Sequence, residues 1–145
     1  SDPKDNFDQL KADVSKILEE KSQLQELEDL ERKINKLKQT GQDNAVTLAE
    51  LYKTATDLCV VLSKNHSKLS YLERAVQLSK HDDQMLATAY SSLATYYRKV
   101  GQYPAALQYL DKALVIHVRL NDDDSRVDTH LAMGTVHSQL GRHDC

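Results

Sequence analysis

Six histidines and two cysteines are the residues of this 145-residue chain best suited to bind a metal or attack an electrophile. His130 and His137 stand seven apart, on one face of any helix that carries them, with His143 and Cys145 close behind. No Cys-x-x-Cys or His-x-x-x-His pair accompanies them, so the spacing does not support a metal site. Cys59 sits between Leu58 and Val60-Val61-Leu62, an apolar setting that keeps a thiol protonated and unreactive. The paired carboxylates Glu19-Glu20 and Asp122-Asp123-Asp124 fall in charged surroundings, whereas acid–base catalysis needs a pocket that separates two pKa values. The acidic run also lacks the alternating ligands, central Gly and terminal Glu of a calcium loop. No phosphate-cradling glycine loop and no G-x-S-x-G elbow is present. These residues predict neither an enzyme nor a cofactor.

The elements that must position side chains are helices. Four glycines and two prolines leave little turn-forming material, which disfavours a many-turned β fold. Phe7, Leu10, Val14, Ile17 and Leu24 follow helical 3–4 spacing, with Lys21 in the missing slot, and Leu27, Leu30, Ile34 and Leu37 form a second run. The spacing predicts one long helix over residues 6–40, capped by Asn6 with Gln9 and ended by Thr40-Gly41. Shorter helices follow. Asp43-Asn44 and Ser67 are the expected caps of the next two, and Lys80 to Asp83 forms a polar turn. Gly101-Gln102-Tyr103 and Pro104 separate a further pair, and Ser125 with Asp128 is expected to open a last helix that meets Gly141. A net charge of −3 gives no case for nucleic acid, and no apolar run reaches the ~18 residues of a membrane span. Two cysteines are too few for a disulfide scaffold, so the expected compartment is the cytoplasm.

Two internal alignments organise the last two-thirds of the chain. Tyr90-x-x-Leu93-Ala94-x-x-Tyr97-x-x-x-Gly101-x-Tyr103 matches His130-x-x-Met133-Gly134-x-x-His137-x-x-x-Gly141-x-His143 at an offset of 40 residues. Leu69-x-x-Leu72-x-x-Ala75 matches Leu107-x-x-Leu110-x-x-Ala113 at an offset of 38. Ring-shaped residues fill space, small residues such as Ala94, Gly134, Ala106 and Ala113 allow close approach, and glycine reverses the chain. On these slots the sequence resembles the tetratricopeptide repeat family. Residues 46–80 resemble a degenerate repeat with Tyr52 kept but Thr56 and Cys59 in the small and aromatic slots; 87–120 form a clear repeat, and 127–145 the first helix of another. The offsets exceed the family's usual length of about 34, a lengthening similar to that of kinesin light chain. The resemblance implies an all-α fold: a long coiled-coil-like helix at 1–41, then a right-handed superhelical array of helix-turn-helix repeats at 42–145. A lone first helix at the end predicts a longer protein whose repeats continue past Cys145.

The resemblance also implies a groove lined by first helices that binds a protein or peptide. Carried over residue by residue, its candidates are Glu50, Lys53 and Asp57 in the degenerate repeat and Thr88, Ser91, Ser92, Thr95, Arg98 and Lys99 in the clear one. Asp128, Leu131, Thr135 and Ser138 follow in the last helix. Of the family's cationic grip on a peptide C-terminus only Lys53 is matched, which disfavours that ligand. The long helix supports two uses. Leu10, Val14, Ile17, Leu24, Leu27, Leu30, Ile34 and Leu37 could pair with a second copy as a homodimer. Alternatively, the helix folds back and caps the array. The expected protein is a non-catalytic adaptor, linked by the kinesin-light-chain likeness to motors or the cytoskeleton; the alternative is an oligomerisation module built on the long helix.

Overall fold

The structure, a computed structural model, describes residues 2–41 and 45–143. Among these residues lie six helices and no strand: α1 (Pro3–Thr40), α2 (Ala45–His66), α3 (Leu69–Leu78), α4 (Asp83–Lys99), α5 (Tyr103–Arg119) and α6 (Asp123–His143). Each helix packs on the next in sequence, and α2 also touches α4. This is a helical repeat array in which α2, α4 and α6 alternate with α3 and α5.

Helix ends follow local chemistry, with several departures from expectation. α1 opens at Asp2, not Asn6, because the Asp2 carboxylate accepts the Lys4 amide at 3.0 Å and Pro3 tolerates the first turn. It ends at Gly41, whose φ of +65° suits a residue without Cβ. Asp43-Asn44 lies outside the described residues. Ser67 does not cap α3; it takes φ +48° at the α2–α3 junction, and Lys68 is the N-cap without a side-chain bond. Asp82 caps α4 by accepting the Met85 amide at 3.1 Å. Asp122, rather than Ser125, caps α6 by accepting the Ser125 amide at 3.1 Å. The Ser125 hydroxyl and then its amide, both hydrogen-bonding to the Asp122 carboxylate, hold that carboxyl below its ordinary range, so the acidic run serves a helix start. Gly101 closes α4 at φ +81°, but Gly141 does not close α6, which runs on to His143.

Two cores form. The first joins Leu27, Leu30 and Ile34 of α1 to Ala55, Cys59 and Leu62 of α2, Tyr71 and Ala75 of α3, and Ala89 of α4. The second joins Ala94 to Tyr103, Ala106, Leu110 and Val136. The matched slots of α3 and α5 behave alike, since Leu72, Ala75, Leu110 and Ala113 are all buried. The slots of α6 do not repeat those of α4. Tyr90 and Tyr97 pack on Tyr109 of α5, whereas His130, Gly134 and His137 are exposed. A Cβ added at Gly134 would meet nothing within 4 Å. This corrects the expectation of ring spacers and a close-packing glycine there: among the described residues nothing covers that face of α6.

The long helix divides in two. Its second half caps the array, with Leu27, Leu30 and Ile34 buried and Leu24 and Leu37 half-buried. Leu24, Leu27, Leu30 and Ile34 serve the intramolecular packing of the chain, which corrects their assignment to a self-association seam. Two carboxylates three turns apart fasten the half to α3. Glu31 receives Arg74 through Nη2 at 2.8 Å and Nε at 3.2 Å. Glu20 receives Lys68 and the Tyr71 hydroxyl, with His66 Nδ1 3.6 Å away. The Lys68 and Tyr71 hydrogen bonds hold the Glu20 carboxyl below the ordinary glutamate range. Burial, helped by that bond, pushes Tyr71 up to about 12. Before Glu20 the helix projects for roughly 25 Å, with Phe7 60 %, Leu10 59 %, Val14 46 % and Ile17 63 % exposed.

The division of α1 has a mutational consequence. Leu27→Ala is expected to cost about 2–5 kcal/mol in chemical denaturation, and Leu10→Ala within about 0.5 kcal/mol; equal effects would refute a docked second half. The Glu20 latch has a pH consequence. A lowered carboxyl pKa stabilises the fold while the group is ionised and ceases to do so as it protonates. Glu20→Gln should therefore lower the thermal midpoint at pH 7. The gap to the native chain should close as pH falls through and below the ordinary value of about 4.5. A gap unchanged down to pH 3 would rule the latch out.

Candidate functional site

The surface shared by α2, α4 and α6 is built around one face of α4. Thr88, Ser91, Ser92, Thr95, Arg98 and Lys99 recur at three- and four-residue spacing, which puts them on one stripe. The opposite sides of α4 carry Ala87, Ala89, Leu93 and Ala94 into the cores. The polar stripe is therefore left on the remaining face. Thr88 and Thr95 each donate their hydroxyl to the carbonyl one turn back, at 3.1 Å, and Thr135 does the same in α6 at 3.2 Å. Their oxygen lone pairs and methyl groups are what remain to meet a ligand.

Three depressions run along this stripe, and Thr95 lines all of them. The largest, about 370 Å³, lies between α4 and α6, with Thr88, Ser91, Ser92, Asp128 and Thr129 in its walls. Lys64 reaches it from α2, and His117 from α5. The second, about 330 Å³, holds Arg98, Ala132 and Thr135. The third, about 100 Å³, lies between the end of α2 and α4, with Ser63, Lys64, Ser67, Ser92, Tyr96 and Lys99. The structure thus brings together Thr88, Ser91, Ser92, Thr95, Arg98, Lys99, Asp128 and Thr135. Lys53 and Asp57 are exposed on α2 outside these depressions, as are Leu131 and Ser138 on α6.

Sequence reasoning did not include Ser63, Lys64, Ser67, Tyr96, His117, Ser125 and Thr129 in the groove. Lys64 carried a signal, since it falls two turns after Asp57 on the same face of α2. His117 carried none, because it belongs to a second helix and reaches the groove from behind. It is buried, and its Nδ1 has no hydrogen-bond partner among the described residues.

The alternation of helices, the buried alanine slots and the shared stripe form one repeating unit, and the tetratricopeptide repeat profile matches residues 85–144. This segment belongs to the tetratricopeptide repeat family. No curated protein and no solved structure matches the chain. The tetratricopeptide segment comprises α4, α5 and α6 and is, in general terms, a protein–protein interaction module. Repeats of this family are typically non-enzymatic interaction scaffolds. Burial pushes the Cys59 thiol up to about 12, which leaves it without a thiolate. Among the described residues no group of three or more His, Cys, Asp or Glu side chains is placed to hold a metal. No helix is long and apolar enough to cross a membrane.

Proposed function

We propose that this chain is a non-catalytic adaptor whose α2–α4–α6 surface binds a peptide or helix of a protein partner. The observation that supports this most is the continuity of the three depressions through Thr95, which gives one preformed strip of hydroxyl groups with cations and a carboxylate along it. A rigid strip lowers the ordering cost on the scaffold side. Hydroxyl groups meet a peptide backbone through donors and acceptors alike. The repeat offsets of 38 and 40 residues support a motor-linked or cytoskeletal setting in the cytoplasm, by likeness to kinesin light chain.

A second use belongs to the projecting half of α1. Its exposed stripe of Phe7, Leu10, Val14 and Ile17 favours pairing with a second copy, which would make the adaptor bivalent. Lys21 and the docking of the helix from Glu20 onward confine such a seam to its first five turns.

Thr95→Arg fills the point where the depressions meet. It is expected to cut partner capture at least tenfold in quantitative affinity enrichment, while Gln108→Arg on the outer face of α5 leaves capture and melting unchanged. Undiminished capture by a folded Thr95→Arg chain would overturn the groove reading. For α1, light scattering is expected to give a dimer that dissociates in Leu10→Asp/Ile17→Asp. A native chain that stays monomeric at high micromolar concentration would exclude self-pairing.

A further inference from the structure

The smallest depression has a chemistry of its own. Lys64 lies in the last turn of α2 and Lys99 is the last residue of α4, positions where a cation complements the carbonyl end of its own helix. Here the two helix ends converge, and Lys64 and Lys99 both line one space of about 100 Å³, with the buried Leu72 also in its wall. Neither lysine has an ion-pair partner among the described residues, and the lining holds no acidic side chain. The hydroxyls around them are of two kinds. Ser63 and Thr95 already donate to backbone carbonyls, at 2.7 and 3.1 Å. Ser67, Ser92 and Tyr96 make no side-chain hydrogen bond among the described residues, so two lysines and three residues with unengaged hydroxyls line the same space. Ser67 reaches this rim from a left-handed backbone, φ +48°, a conformation uncommon outside glycine.

We propose that this depression is a subsite for the phosphoryl group of a phosphorylated serine or threonine in the partner segment. The inference rests on the groove reading above and names the chemistry recognised at one end of it. A phosphoryl group brings close to two negative charges and three acceptor oxygens, which matches a lining that holds two lysines, three unengaged hydroxyls and no carboxylate. A planar carboxylate is met best by the fork of an arginine, whereas lysines act on phosphate as point charges. Arg98, the arginine of the stripe, lies in the neighbouring depression. The space admits one compact group and not a stretch of backbone, which would continue along α4 past Thr95. No covalent step is involved.

The test titrates the isotope-labelled full chain, at constant ionic strength, with a phosphoserine heptapeptide flanked by alanines. Its serine and glutamate counterparts and inorganic phosphate are titrated in parallel. The phosphopeptide is expected to shift the amides of residues 63–67 and 92–99, and to bind at least tenfold more tightly than the glutamate peptide. The surface variant Lys64→Ala/Lys99→Ala should bind it at least tenfold more weakly with an unchanged spectrum elsewhere. Equal binding of the glutamate peptide would overturn the phosphate assignment, and equal binding of inorganic phosphate would overturn the peptide source. Shifts that persist in the double variant, or no shifts at all, would overturn the subsite. If the subsite fails while Thr95→Arg still abolishes partner capture, the groove reading stands; if Thr95→Arg is also silent, both fall.

Discussion

The close approach that α4 permits is the constraint on which this architecture depends. Ala89 lies in the core shared with α1, α2 and α3, and Ala94 in the core shared with α5 and α6. Alanine on both sides lets neighbouring helices pack near the α4 backbone, where larger side chains would hold them off. Once two sides of α4 are committed to packing, its remaining face has no apolar role. That face carries serine, threonine, arginine and lysine, and the neighbouring α2 and α6 turn it into the floor of a groove. The polar groove is thus a consequence of how the cores are built.

The same economy shapes the N-terminal helix. An array of paired helices has an apolar end that needs a cover, and the second half of α1 supplies it with Leu27, Leu30 and Ile34. Glu20 and Glu31 fix its direction through Lys68, Tyr71 and Arg74. Exposed ion pairs contribute little stability, but two of them three turns apart define an orientation. The first half of the helix is consequently held out as a rigid arm, with an apolar stripe that the fold of its own chain leaves open. Capping thus occupies only one half of the helix, and the other half keeps its apolar stripe exposed.

Much of the fold was legible in the residues. The number and order of helices, the glycine stops at Gly41 and Gly101, the inert Cys59 and the matched leucine and alanine slots of α3 and α5 follow from periodicity and residue size. The stripe along α4 was legible for the same reason, since Thr88 to Lys99 recur at helical spacing. Caps were less so: Asp2 and Asp122 won over Asn6 and Ser125 because several short polar residues compete near each helix start. Lys53, Asp57, Leu131 and Ser138 lie outside the depressions because a shared slot fixes the face of a helix and not its crossing over its neighbour.

What the sequence determined by itself is therefore local: which segments are helical, which face of each is apolar, and which residues are small enough for close packing. These depend on backbone geometry within one element. Only the tertiary structure decided where α1 stops being a cap and becomes an arm. It alone brought Lys64 and Ser63 beside Lys99, placed His117 behind the groove, and left His130 and His137 exposed. Each of these depends on contacts between residues far apart in the chain, where helix crossing and end-to-end alignment set which side chains meet, and no periodicity within a single helix encodes that.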